Sequence, residues 1–462
     1  MAWDFTTEPE FQEKLNWIDS FVREEIEPLD TLFPHLTYHR IEEPLRTVVD
    51  QLKSEVRGRD LWACHLDADL GGQGYGQLKL ALMNELLGRS PWAPIVFGCQ
   101  APDTGNAEII AAYGTEEQKK LWLQPLLDGE VFSCYSMTEP HGGSDPTRFR
   151  TRAERDGDEW VINGDKFFSS NLREASFIIV MAVTNPDVSP YKGMSMFLVP
   201  SDTPGIRVLA HIGLGSESYE EGMHAHVRYE NVRVPHANLL GGEGQAFNVA
   251  QRRLSGGRIH HAMRAVAGAK RQFDMMCERA LSRTTQGSLL AEKQMVQEAV
   301  ADSWLQIQQF RLLVMYTAWL IDQKSTATRQ YIAGCKVLAA EVLADIGAKS
   351  QHLHGALGVS NLMSMGNGSG AMGIVDGPTE VHKVTVARQV LKDHKPAPDL
   401  WPTEFKPRRL VDARRRFDEI LDRRVSDAGV RRQFSELLQS SAAPDDLVRR
   451  MEEYMEATAA NL

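Results

Sequence analysis

Cysteine is scarce in this chain: five residues in 462, at Cys64, Cys99, Cys134, Cys277 and Cys335, with no C-x-x-C pair. An odd, scattered set excludes a disulfide framework and reads as reduced thiols, the pattern of a cytoplasmic protein. Long apolar runs are missing too. The longest clean stretch, Phe177 to Val183, is far short of the ~20 residues needed to cross a bilayer, so no membrane span is expected. Met1-Ala2-Trp3-Asp4-Phe5 shows no basic-then-apolar pattern, and no signal peptide is expected. There is no excess of positive charge: 51 Lys and Arg stand against 62 Asp and Glu, a net charge of -11. That balance argues against a broad nucleic-acid or anionic-membrane surface. No G-x-S-x-G elbow supports a serine hydrolase. His224/His226, His352/His354 and His260-His261 supply two ligands each and no Cys/His set completes them, so no metal is expected.

What is present is an ordinary globular composition, 42% hydrophobic and 24% charged. The length suggests about three structural units. Residues 1–130 read as an N-terminal α-helical domain. Phe11, Leu15, Ile18 and Val22 share one helical face, Leu78, Leu82 and Leu86 repeat the pattern, and Thr115-Glu116-Glu117-Gln118 is a capping box. Residues 131–245 read as a middle β-domain. Asp156-Gly157 and Asn163-Gly164 are hairpin signals, and Phe177–Val180 and Met196–Val199 look like buried strands. Residues 246–395 return to helix, with proline-free stretches from Leu289 to Gln323 and Ser325 to Ile346 that suit a four-helix bundle. Residues 396–462 form a charged helical extension. There Arg414-Arg415-Arg416, Arg423-Arg424 and Arg431-Arg432 interleave with Asp412, Asp418, Glu419, Asp422 and Asp427, as on a solvated face. The fold class is therefore α+β.

Two segments draw chemical attention. Gly368-Ser369-Gly370-Ala371-Met372-Gly373 formally satisfies G-x-G-x-x-G. It lacks the preceding strand, and Asp376 arrives too soon for the acidic partner of a nucleotide fingerprint, so it reads as a turning loop. The second is Tyr135-Ser136-Met137-Thr138-Glu139-Pro140-His141-Gly142-Gly143-Ser144-Asp145. Its hydroxyls, glycines and backbone amides can hydrogen-bond the edge of a planar polar heterocycle or a phosphate; a long structural turn is the alternative. Cys134 beside it reads as core.

That loop resembles the Y-x-x-T-E-P-x-x-G-S-D segment of the acyl-CoA dehydrogenase family. Further resembling segments follow in the family's order: Leu70–Gly76, Tyr113-Gly114-Thr115 through Pro125–Gly129, Trp160–Lys166, Pro204-Gly205-Ile206, Val232–Pro235, and Gly355-Ala356-Leu357-Gly358 ahead of Asp376-Gly377. The resemblance covers roughly residues 8–395. It implies the family's fold, with helical, β and helical domains, and FAD as cofactor. It implies oxidation of an acyl-CoA thioester to trans-2-enoyl-CoA, electrons leaving through an electron-transfer flavoprotein, and a homodimer or homotetramer. In that chemistry a carboxylate takes the α proton while the β carbon gives hydride to flavin N5. The α C–H is a weak acid, so the base is expected to have its pKa raised by burial.

By this resemblance the base falls at Asp376, in Val375-Asp376-Gly377-Pro378-Thr379-Glu380-Val381-His382. Most family members carry glutamate there, about 1.5 Å longer. A subgroup with D-G-P-x-E-V-H and G-R-I-H-H-x-M-R is more similar, the latter matching Gly257-Arg258-Ile259-His260-His261-Ala262-Met263-Arg264. Asp376 also reads as a helix N-cap ahead of Pro378, a compatible role. Tyr135, Met137, Thr138, Gly143 and Ser144 match the flavin-contacting loop, and Ser144 also faces the acyl-CoA in relatives. Phe168 and Ser170 match an aromatic and a hydroxyl beside the flavin. Arg283 matches an arginine that reaches the FAD pyrophosphate from a neighbouring subunit. His352 and Gly355 fall in the stretch that holds the adenosine half, His352 in place of a glutamine. Arg258 and Gly377 match substrate-side positions. The glycine-rich segment before Asp376 is shorter than usual by about four residues. Each helical glycine costs ~1 kcal/mol, so the helix that relatives place there is expected to be broken. Two alternatives stand beside the dehydrogenase: a nitroalkane-oxidase-like flavin oxidase, and a non-catalytic binding or assembly subunit.

Overall fold

The structure is a computed structural model. It describes residues 7–440 apart from 35, 38, 71, 215–221, 364–368 and 398–401, together with 449, 450, 453 and 457. The chain divides into two units, Met1–Gln389 and Val390–Leu462.

The first unit begins with helices. Pro9 opens α1 (Pro9–Phe21), where its missing N–H costs nothing, and Phe11, Leu15, Ile18 and Phe21 face inward. A π-helical turn over Val22–Ile26 leads into α2 (Glu27–Leu32). In α3 (Leu45–Gly58), Val49, Leu52 and Val56 are buried. In α4 (Gly76–Leu87), Leu80, Met83 and Leu87 are among the fully buried residues, while Leu78, Leu82 and Leu86 pack at the margin of the core. Both faces of α4 are thus covered. After α5 (Ala93–Val96) and α6 (Asp103–Tyr113) comes the capping box that starts α7 (Glu116–Gln118). Thr115 Oγ1 accepts from the Gln118 amide at 3.2 Å, and Gln118 Oε1 accepts from the Thr115 amide at 3.1 Å. A π-helical turn over Lys119–Leu123 joins α7 to α8 (Gln124–Asp128).

The middle region is one sheet of eight strands: β1 (Phe132–Ser136), β2 (Arg152–Asp156), β3 (Glu159–Ser170), β4 (Ala175–Val183), β5 (Met194–Pro200), β6 (Ile206–Ile212), β7 (His224–Pro235) and β8 (Leu239–Leu240). Their order is β6-β7-β3-β1-β4-β5-β8, with β2 against β3 and β4. β1 runs parallel to β4, a pairing no hairpin can make. Asp156-Gly157 does turn the β2–β3 hairpin, with Gly157 at φ 63°. Asn163-Gly164 does not turn the chain: β3 runs straight through it. Gly164 sits at a register shift, and a Cβ there would lie 2.6 Å from Thr151 Cα. The glycine answers a close backbone approach at a bulge, not a hairpin.

Helices then return as α9 (Ala246–Ser282), α10 (Gln294–Asp322), α11 (Thr328–His354), the single turn α12 (Ser369–Met372) and α13 (Thr379–Lys392). α10 starts later than the proline-free stretch suggested. Gln286 and Gly287, both at positive φ, first turn a small hairpin of β9 (Thr284–Thr285) and β10 (Ser288–Leu289). α9, α10, α11 and α13 form the expected helical C-terminal region, and the α+β class holds. N-terminal and C-terminal helices share one apolar core, in which Trp92 and Phe97 meet Ile259, Phe310 and Ile346. A second core joins α6, the sheet and the start of α9 through Ile110, Phe177, Met196 and Val249. In the second unit, α14 (Lys406–Arg424) and α15 (Ala428–Ser440) contact each other through Phe417 and Phe434 and through an Arg431–Asp422 ion pair of 3.0 Å.

One buried ion pair shapes the loop after β1. Glu139 is 1% exposed and Lys166 is fully buried. Lys166 Nζ donates to Glu139 Oε1 at 3.0 Å and to the Met137 carbonyl at 2.8 Å. Glu139 also accepts the amides of Arg150 (2.6 Å) and Thr151 (2.9 Å). Burial alone would raise the Glu139 carboxyl; the Lys166 charge and the two amides outweigh it and hold it below its ordinary value. Burial brings Lys166 down to about 8, against the pull of Glu139. Glu139→Ala is expected to cost roughly 3–5 kcal/mol in urea unfolding, because it strands a buried ammonium. The double change Glu139→Gln with Lys166→Met should recover much of that loss.

Candidate functional site

A cleft of about 2110 Å³ opens where the loop after β1, the end of β3, α6, α9, α11 and the approach to α13 meet. Pockets for single small ligands run to roughly 300–1,000 Å³, so this one has room for two sizeable groups side by side.

Its floor is built on α9. Arg253, Gly257 and His261 fall at i, i+4 and i+8 and share one face of that helix. Gly256-Gly257 lies inside the continuous helix, at a cost of about 1 kcal/mol per glycine. Packing explains both. A Cβ at Gly256 would stand 2.5 Å from Glu108 Oε2, and one at Gly257 would stand 2.9 Å from Asp376 Oδ2. Two carboxylates, from α6 and from the loop before α13, are seated on the bare stretch of helix.

Asp376 is partly buried, with φ 54°, in the left-handed region where aspartate is among the better-tolerated non-glycine residues. Arg258 Nε donates to its carbonyl at 2.9 Å, and His382 Nε2 lies 3.3 Å from the same oxygen. Its Oδ2 lies 3.3 Å from His261 Nε2. Desolvation would raise the carboxyl, as the sequence led us to expect for a base. The structure reverses this: hydrogen bonding and charge from His261, with Arg253 and Arg258 behind, hold it well below the usual carboxylate range. Nor does Asp376 cap α13. Its carboxylate turns toward His261, and the helix begins only at Thr379.

Glu108 behaves oppositely. Desolvation pushes it up to about 8, although Arg253 and Arg252 pull it down. Arg253 spends its guanidinium on Asn106 Oδ1 (2.8 Å) and on the face of the Tyr135 ring (3.7 Å). His65, 7% exposed on the cleft wall, is pushed down to about 3 by burial, and both ring nitrogens lack a partner among the described residues.

Of the residues expected from the sequence, Tyr135, Met137, Thr138, Gly143, Ser144, Phe168, Ser170, Arg258, Asp376 and Gly377 all line this cleft. Phe168 is not core: it is 44% exposed, at φ 56°, with its ring edge-on to Phe167. An aromatic held at a strained backbone angle over a cleft offers a flat surface to a flat ligand. Ser170 Oγ lies 2.8 Å from His224 Nδ1. Gly143, at φ 52°, has open space where a Cβ would stand. This wall, with the amides of the 137–144 loop, suits a planar polar cofactor such as FAD.

Arg283, His352 and Gly355 are not brought into the cleft. All three are exposed, Arg283 after α9 and the other two at the end of α11. The glycine-rich residues 365–368 lie outside the described residues. Ser369–Met372 beyond them is one helical turn, and the buried Lys336 of α11 donates to the Met372 carbonyl. Burial lowers Lys336 to about 8. The sequence reading missed Arg253, Glu108, His65, Lys336 and the pairing of His261 with Asp376. The one available signal was the four-residue spacing of Arg253, Gly257 and His261 around an otherwise costly glycine pair.

Helical, β and helical regions around a cleft with a carboxylate on one wall and an exposed aromatic on another define a flavoprotein-type oxidoreductase. Residues 8–130, 134–232 and 244–391 match the N-terminal, middle and C-terminal domains of acyl-CoA dehydrogenase. A Mycobacterium tuberculosis protein named as an acyl-CoA dehydrogenase, FadE2, is 41% identical over 75% of this chain and 86% of its own length. Acyl-CoA dehydrogenase family member 11 of Gallus gallus is 40% identical over 75% of this chain, a stretch that is 45% of its length. This chain thus spans less than half of that relative. A solved Mycobacterium abscessus structure of the same family superposes with a TM-score of 0.78 at 35% identity, covering 84% of this chain and all of that one. The chain belongs to the acyl-CoA dehydrogenase family of FAD-dependent oxidoreductases.

Glu108 makes stability depend on pH. Its folded pKa of about 8 exceeds the ordinary 4.5, so the folded state binds more protons than the unfolded one between those values. Stability must therefore fall as pH rises through that window. Glu108→Gln is expected to flatten this slope and to melt a few degrees above the parent at pH 8.5, by calorimetry across pH 5–9.

Proposed function

We propose that this chain oxidises an acyl-CoA thioester to its trans-2-enoyl-CoA with Asp376 as the base. The observation that carries the reading is the carboxylate of Asp376, ionised and held on one wall of the cleft that Phe168, Ser170 and the 137–144 loop share. Bound FAD supplies the hydride acceptor. Met137, Thr138, Gly143 and Ser144, with Tyr135, Phe168 and Ser170, would hold it on the wall of the cleft that they line. Ser144 also faces the acyl-CoA.

Asp376 takes the proton from the α carbon. Gly377, at φ 106°, has no side chain where a Cβ would meet His382 Nε2 at 3.0 Å, so the turn beside the base packs against that ring. Arg258 fixes the Asp376 carbonyl and so the direction of the carboxylate. Substrate entry expels water from the cleft, which strips solvation from the anion and strengthens it as a base. Arg283, His352 and Gly355, exposed and away from the cleft, serve the FAD of a neighbouring copy in a homodimer or homotetramer. An electron-transfer flavoprotein would be the partner that takes the electrons onward.

Anaerobic mixing of the FAD-loaded protein with acyl-CoAs of varied chain length and branching tests this. Bleaching of the flavin absorbance is expected with at least one thioester. Asp376→Asn should keep FAD and slow bleaching by roughly 10²–10⁴-fold, the usual worth of a general base. Retained FAD that no thioester bleaches, or an Asn variant reduced as fast as the parent, would sink the assignment.

A further inference from the structure

Asp376 lines the cleft, whereas His261, 3.3 Å behind its Oδ2, does not. His261 therefore reaches the cleft through Asp376. The imidazole keeps 24% of its side-chain surface exposed, against 18% for the carboxylate. The contact is built from both sides. Gly257, one helical turn before His261, has no side chain to displace Oδ2. Arg258 and His382 fix the carbonyl of Asp376, which sets the loop.

A carboxylate held this far toward the anion keeps a proton poorly, and substrate filling the cleft blocks return of that proton through the cleft. An imidazole on the outer side of the same carboxylate solves both problems.

We propose that His261 is the proton partner of Asp376, a positioning residue that orients the carboxylate before the reaction and takes from it the substrate's α proton afterwards. The inference rests on the dehydrogenase reading. The Cα–H bond breaks and its electron pair becomes the new C=C bond. The Cβ–H bond leaves with its pair as hydride to FAD, the oxidant. The proton bonds to Asp376; His261, whose Nε2–H faces the carboxylate before the reaction, gives one proton to solvent from its exposed ring, which frees Nε2 to take the new proton and restores both the carboxylate and the imidazolium. The other groups facing Asp376 do not offer this route. Arg253 and Arg258 of α9 stay charged, Lys336 of α11 is a donor bound to the Met372 carbonyl, His382 of α13 faces the Asp376 carbonyl, and the Tyr135 ring lies under Arg253.

The test uses His261→Gln and His261→Asn in the FAD-loaded full chain. The first readout is carboxyl ¹³C NMR of aspartate-labelled protein, with the Asp376 signal assigned by its loss in Asp376→Asn. The Asp376 carboxyl is expected to titrate at least one pH unit higher in the variants than in the parent. A carboxyl that stays ionised throughout the folded pH range in the variants, as in the parent, overturns the proposal. The second readout is the pH profile of anaerobic bleaching by an acyl-CoA. The acid limb is expected to move to higher pH, with bleaching slowed about tenfold or more and acyl-CoA binding changed less than about threefold. A slower rate with an unmoved acid limb marks a merely structural histidine and overturns the proposal. If no thioester bleaches even the parent while the carboxyl titration still moves, the dehydrogenase reading falls and the pair stands. If the parent bleaches and both variants match it at every pH, the pair falls and the reading stands.

Discussion

The close approach of two carboxylates to a bare stretch of helix governs this cleft. Gly256 and Gly257 sit well inside the 37-residue α9, where propensity alone disfavours them by about 1 kcal/mol each. What they permit is contact between the helix and Glu108 on one side and Asp376 on the other. A side chain at either position would push the facing carboxylate group off the helix surface. The same helix supplies Arg253, Arg258 and His261, so seat and counter-charges come from one rigid element and keep their spacing.

The two carboxylates rest on neighbouring residues and yet hold opposite charge states. Asp376 has an imidazole on its carboxylate and a guanidinium on its carbonyl, and it remains an anion. Glu108 feels two arginines, but Arg253 is already engaged with Asn106 and Tyr135, and desolvation wins. Direct hydrogen bonding thus outweighs proximity of charge in deciding which group ionises. One cleft therefore presents a proton acceptor and a proton donor at neutral pH.

Two buried lysines tie the cleft's loops to the scaffold by one device. Lys166 holds the Met137 carbonyl of the flavin-side loop, and Lys336 holds the Met372 carbonyl ahead of the base. An ammonium is costly to bury, so each is stable only while its partners stay in place. The loops are constrained from within the protein, which leaves their outer faces to ligands.

Much of this was legible in the residues. The capping box at Thr115, the buried helical face of Phe11, Leu15, Ile18 and Val22 and the order of helical and β regions follow from local patterns, because the 3.6 and 2.0 periods are properties of the chain itself. The loop from Tyr135 to Ser144 and the aspartate before Gly377 were visible as motifs, because reactive groups at fixed spacing leave a linear trace. Other readings were overturned. Asn163-Gly164 carries a hairpin's residues, but Thr151, just ahead of β2, occupies the space a side chain at Gly164 would need. Asp376 looked like a base made stronger by burial, but an imidazole and two guanidinium groups converge on it, all more than a hundred residues away along the chain. Its charge state, and the identity of its imidazole partner, depend on distances between segments that have no sequence proximity. Backbone periodicity and motif spacing are local and can be read in one dimension. Electrostatics and close packing sum over everything nearby in space, and they exist only once the chain has folded.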